Sequence, residues 1–431
     1  APKIHCPVFP IRHAFPTPAS TPSSTRVITT NPAQRPPFRI PAAPPAQWTP
    51  DTVIPYVKTA MMIELSTIPL YLYSMYSIQP DDGKMGTQAR TVIRGIVEQE
   101  MLHLTLTGNL LCALGGSMNL YDYDVIPQYP GHILVEKIDM NLDRANKENL
   151  ECFLQIEAPD TPRLLPDKPS SSGVSLSRKA RADIATEYKS IGDFYEDLAK
   201  GLKHLRDEDF THNTNNQFSG FDFFNDQMVV ISDKASALKA VGIIIEQGEG
   251  NVAVPDSHYV AFVKLYLNRE GWTLLNLPKN PQTLDYIGKY PSSFLHMVSS
   301  LFDAGYCYLL QTIQRVWETG REPDKFVLRL LLLRNVHAIM TDLLTPVANV
   351  LIQQKLNTED DLVAAPCFNY YPLIIDDGPD RGKPNAQKDP KGLHRSLQEL
   401  ANAASRSSPT HALRELFRAM QIDIKNKIPP E

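Results

Sequence analysis

The sequence predicts an all-α protein: a four-helix bundle with one long crossover, followed by further helices toward the C-terminus. Three observations lead there. Apolar residues recur at steps of three and four over several separate stretches, the period of a helix that faces a core. Carboxylate and imidazole side chains interrupt those stripes at Glu64, Glu100 and His103. Residues 117–177 form a connection of the length that a bundle with parallel middle helices requires.

The chain opens on residues 1–50, rich in Pro, Ala, Ser and Thr and without periodicity, which reads as an extended tail. Its basic residues Arg12, Arg26, Arg35 and Arg39, with no acid before Asp51, leave a targeting segment as an alternative to a cytoplasmic protein. The first helical stripe runs through Val53, Val57, Ala60, Met61, Ile68, Leu72 and Met75, with Glu64 in its middle. The second runs through Ile93, Ile96, Glu100, His103, Thr107, Leu110 and Leu114. Glu100 and His103, three residues apart, share a helix face and point inward. A carboxylate buried without a partner costs several kcal/mol or shifts its pKa until it is neutral. The pattern therefore asks for a compensating positive charge, and a metal ion supplies one.

Within the crossover, Asn149–Ile156 reads as a short helix, with Glu157 after it as a structural residue. The third bundle helix spans 178–204, where Glu187 shares a face with Ile191, Phe194 and Leu198, and Asp193 and Glu196 are solvated. Residues 206–227, dense in Asn, Asp and Phe, read as a lid over the metal site. The fourth helix spans Asp233–Gly250; Ala235, Leu238, Gly242, Ile245 and Glu249 line one side, and Glu246 sits on the adjoining edge. His258 follows closely enough to fold back onto that helix end.

One Glu on the first helix, Glu-x-x-His on the second, Glu on the third, and carboxylates with a histidine at the fourth is the ligand plan of ferritin-like di-metal bundles. The candidate ligands are Glu64, Glu100, His103, Glu187, Glu246, Glu249 and His258, with Glu249 and Glu187 the least secure. Tyr71 and Tyr195 lie near these segments as packing residues or as hydrogen-bond donors. Carboxylate and imidazole donors in mixed number suit iron or manganese better than zinc.

The chain also resembles the ferritin-like domain of the iminophenyl-pyruvate dimer synthase family. The resemblance is carried by Ile63 to Leu72, Glu100 to His103 with Asn109 and Leu114 to Gly116, Ser190 to Tyr195, Glu246 to Gly250 and Ser257 to Tyr259. These motifs fall in order over about residues 52–265, and a weaker similarity runs from Pro346 to Phe368. It implies substrates derived from aromatic amino acids or their imines. Synthases of that type are much longer chains, so their dimerising step is not carried over.

The expected function is a non-haem di-metal oxidoreductase acting with dioxygen on a small organic substrate. Its cofactor is two iron ions, with manganese or a single metal as alternatives, and a non-catalytic ferritin-like metal-binding protein is the competing reading. A net charge of -5 and pI near 6.2 give no electrostatic reason to expect nucleic acid. No run of eighteen apolar residues predicts a membrane span. Five widely spaced cysteines read as reduced thiols.

After Asn268, apolar stripes at 291–319 and 324–354 predict helices that pack on the bundle or make a homodimer contact, with His337 as a core histidine. The run Phe326–Leu333 reads as a buried helix. The division expected is thus tail 1–50, bundle 51–268 and helical extension 269–431, with a solvated linker at 376–392 and closing helices divided at Pro409.

Overall fold

The computed structural model describes residues 47–79, 83–133, 135–158, 188, 190–210, 212–248, 257–357, 361–373 and 390–428. Most of the tail, the 376–389 part of the linker, Glu187 and Glu249 lie outside them. Helix α1 (Pro50–Ser77) starts from the Thr49 cap, with Pro50 in the first turn, where its missing N–H costs nothing. Helix α2 (Gly83–Ala113) returns along it. Arg90 Nη1 donates to Met75 O and Ile78 O near the connection, while Glu64 meets His103 farther away, so the two helices run antiparallel.

Past α2 the chain builds a two-stranded antiparallel hairpin, β1 (Gly131–Ile133) and β2 (Val135–Met140), which the sequence reading missed. Helix α3 (Lys147–Ile156) follows, capped by Asn146. Helix α4 (Ile191–His204) begins at the Ser190 cap and buries Ile191, Phe194, Tyr195, Leu198 and Leu202. Helix α5 (Lys234–Gln247) packs on α4 and α2, and α6 (His258–Leu267) packs on α3 and α2. The core around α1 and α2 is thus flanked by an α4/α5 pair and an α3/α6 pair.

The predicted face of α5 is off by one residue. Ala237, Ala240, Val241 and Ile244 are buried, whereas Ala235 is exposed. Consecutive isoleucines at 243–245 make the helix apolar on several sides, so periodicity alone does not fix which side turns inward.

Helix α7 (Ser293–Glu318) carries the C-terminal half, packed by α8 (Phe326–Ala338), α9 (Thr345–Leu351), α10 (Pro390–Ser407) and α11 (His411–Lys427). A π-helical turn, Ile339–Leu344, joins α8 to α9. The expectation for α8 is inverted: Phe326, Val327 and Leu330 are at least half exposed, and Arg329 is 2% exposed. Its guanidinium donates to the carbonyls of Asn216, Gln217, Val316 and Thr319 and pairs with Asp222, which accounts for the buried charge. His337, expected in the core, is exposed.

Candidate metal centre

Four buried ligand-type side chains converge from α1, α2 and the start of α6. Glu64 comes from mid-α1, Glu100 and His103 from one face of α2, and His258 from the first turn of α6, and all are at most 3% exposed. A fifth group joins them. Glu157, the C-cap residue of α3 and 4% exposed, turns its carboxylate inward. The structural role expected for Glu157 is therefore corrected. A carboxylate just past a short helix leaves no periodic signal, so nothing in the sequence marked it.

These residues form two groups that share Glu100. Glu64, Glu100 and His103 bring ligand atoms within 4.8 Å of one another, as do Glu100, Glu157 and His258. His103 Nδ1 lies 3.3 Å from Glu64 Oε2 and 4.0 Å from Glu100 Oε2. His258 Nδ1 lies 2.9 Å from Glu100 Oε1 and 3.5 Å from Glu157 Oε2. The two oxygens of one carboxylate thus face different histidines, whose rings are 5.5 Å apart.

Each carboxylate is also held from behind. The Tyr195 hydroxyl donates to Glu64 Oε1, the Tyr71 hydroxyl donates to Glu157 Oε1, and Thr67 Oγ1 donates to Glu100 Oε2 at 2.8 Å. On the far side of the imidazoles, His103 Nε2 donates to Gln247 Oε1 and His258 Nε2 to Gln99 Oε1, both at 3.0 Å. Tyr71, Phe153 and Phe262 pack ring to ring at 4.8 to 5.1 Å beside the Glu157 half, and Phe194 packs on Tyr195 beside the Glu64 half.

Burial and the close packing of these groups shift two of them. Burial pushes Glu64 up to about 7, and the charge of Glu100 adds to this while His103 and Tyr195 oppose it. Burial disfavours the His258 cation, but the carboxylates of Glu157 and Glu100 outweigh it and raise the imidazole to about 10. The His258 shift registers the carboxylates around it, while that of Glu64 is chiefly desolvation.

The donor set, carboxylate oxygens with imidazole nitrogens, could hold a metal ion. His258 Nδ1 lies this close to Glu100 without the alignment of a hydrogen bond, leaving a buried nitrogen aimed at carboxylate oxygens. The space between the side chains, bounded also by Ile63, Ile156, Ile191 and Ile244, measures about 10 Å³. That is room for roughly one water-sized occupant.

Glu246 is not part of this arrangement. It is exposed on α5, and its neighbour Gln247 turns toward His103 instead, as the one-residue rotation of the helix dictates. Nor do residues 206–227 line the cavity. They are tied to the far end of α2 and to α7: Asn109 Nδ2 donates to Phe218 O and Val229 O, and Asn216 Nδ2 to Trp317 O.

Residues 57–267 match the family model described as ferritin-like, and the fold is mostly helical, so this stretch is a ferritin-like domain. Among curated proteins, the chain is similar to dichlorochromopyrrolate synthase of Lentzea aerocolonigenes, with 23% identity over 352 residues, 69% of this chain and 34% of that one. That relative fits the resemblance to the iminophenyl-pyruvate dimer synthases, and the chain spans about a third of its length. A crystal structure of a ferritin-like protein from Caulobacter vibrioides superimposes with TM-score 0.45 and 23% identity, covering 67% of this chain and 94% of that one. No described helix is long and apolar enough to cross a membrane.

Proposed function

We propose that the protein is a non-haem di-metal oxidoreductase, with iron as the metal and dioxygen as the oxidant, acting on a small organic substrate. The observation that carries this reading is Glu100, whose two oxygens are divided between two Glu/His groups. A carboxylate so placed would belong to the ligand sets of both ions. Glu64, Glu100 and His103 would hold one, and Glu100, Glu157 and His258 the other; Glu187 and Glu249 are proposed as additional ligands.

Iron or manganese bound there supplies the redox equivalents by which dioxygen is reduced and the substrate oxidised. The chain's own part is preorganisation. Thr67, Tyr71 and Tyr195 orient the carboxylates, which keeps their free oxygens directed at the centre. The aromatic walls exclude water, which strengthens every interaction inside. The similarity to a named synthase supports a small organic substrate, and the resemblance to the iminophenyl-pyruvate dimer synthases supports one derived from an aromatic amino acid or its imine.

A second reading, a ferritin-like metal-binding protein without organic chemistry, is favoured by the size of the cavity, because about 10 Å³ admits no organic molecule beside the ligands. Elemental analysis of protein produced with iron and manganese, alongside Glu100→Ala and His103→Ala, tests the shared premise. About two metals per chain, lost in Glu100→Ala and reduced in His103→Ala, is the expected result; a metal-free parent overturns both readings. Dioxygen uptake over many equivalents that depends on an added organic substrate and a reductant separates the two, since bound ferrous iron alone consumes dioxygen only once as it is oxidised.

A further inference from the structure

Both histidines of the centre are built alike: Nδ1 faces the carboxylates, and Nε2 donates to the side-chain oxygen of a glutamine. An amide oxygen only accepts, so Gln99 and Gln247 hold a proton on Nε2 and fix each ring with Nδ1 turned to the interior. Neither glutamine adds charge to a site already rich in carboxylates.

Gln99 has a second face. It lines a groove of about 1030 Å³ whose walls include Ile96, Phe224, Ala261, Trp272 and Met340. Two backbone irregularities border that groove. Phe224 adopts φ 63°, a left-handed conformation costly for a bulky side chain, and Met340 belongs to the π-helical turn. Such departures persist where the surroundings enforce them and cluster at functional sites. The His258 half of the centre is therefore one hydrogen bond away from the groove wall.

Resting on the di-metal reading, we propose that Gln99 is a positioning residue that sets the metal affinity of the Glu157/His258 half from the groove wall, with Gln247 doing the same for the Glu64/His103 half. The two halves are then independently tunable, and the structure of the groove bears on only one of them.

Cobalt(II) alone, titrated into metal-free full-length protein and followed by its visible absorption, tests this. Gln99→Leu is expected to weaken one of two binding steps by about 10–100-fold, the usual cost of losing such a partner. Gln99→Glu, which keeps an acceptor oxygen at the same reach, is expected to restore that step, and Gln247→Leu to weaken the other. In a His258→Ala background, Gln99→Leu is expected to have no further effect on the metal that remains. Two unaltered steps in Gln99→Leu, equal weakening of both, or no rescue by Gln99→Glu overturns the proposal and leaves the di-metal reading standing. A parent that binds no cobalt overturns the di-metal reading, and the role of Gln99 falls with it.

Discussion

At Glu157 a carboxylate that ends one short helix meets an imidazole that begins another, and neither position belongs to a long apolar stripe. Glu157→Ala is expected to lower the metal content from about two per chain to about one, as is His258→Ala, whereas Glu100→Ala removes both; elemental analysis of the three variants checks this. Away from the centre, Asp303 on α7 is 2% exposed, and burial pushes its carboxyl from 3.8 up to about 7 against hydrogen bonds from Thr283 and the Asn369 N–H. Because the folded value is the higher one, stability from neutral Asp303 is fully present below about pH 4 and is lost as the pH rises through about 7. Asp303→Asn is expected to flatten urea midpoints over that window; an unchanged slope would assign it to other groups. At this scale, Glu64, Glu100 and His103 were legible because each interrupts a strong helical stripe. Glu157 was not, since a cap residue has no period to interrupt.

Among the elements, α2 is tied to α7 by close approach. A Cβ on Gly108 would stand 2.0 Å from the Trp317 ring, and that ring is fixed by the hydrogen bond from Nε1 to Asn109 Oδ1 at 3.1 Å. Gly108→Ala is expected to destabilise by about 1–3 kcal/mol, the cost of overpacking, seen as a lower Tm by calorimetry. Arg329→Ala removes the donors that serve four carbonyls and takes from Asp222 its buried ion-pair partner, with Arg321 still beside it. Its expected cost is about 3–5 kcal/mol in denaturant unfolding, and a loss below 1 kcal/mol would show that water substitutes for the guanidinium. Helices α1, α2, α7 and the α10/α11 pair were readable from their periodicity and from Pro409, which falls between the last two. The facing of α5 and α8 was not, because α5 is apolar on several sides and α8 buries an arginine while exposing Phe326 and Val327. Only the partner helices decide which side turns inward.

For the molecule as a whole, ligands that bind the folded chain alone stabilise it by mass action, about 2.7 kcal/mol at a hundredfold excess over Kd. Metal loading is therefore expected to raise the Tm of the parent and to leave that of Glu100→Ala nearly unchanged; equal shifts in both would place the bound metal elsewhere. The groove, the π-helical turn and the Phe223/Phe224 wall arise where segments distant in sequence meet. Local patterning carries no record of such meetings, which is why the bundle and four of the five clustered side chains, Glu64, Glu100, His103 and His258, could be read from the chain while its outer pocket could not.

The positions of the ligands bear on how the chain reaches its native state. They are drawn from residues 64, 100, 157 and 258, and only the pair on α2 lies within one helix. Closing the span from Glu64 to His258 must be paid in loop entropy before the centre returns any stabilisation, and such contacts form slowly. His103 faces Glu100 as soon as α2 forms, but Glu157 and His258 meet Glu100 only after the ends of α3 and α6 have docked, so the second group of side chains assembles last, with the finished topology.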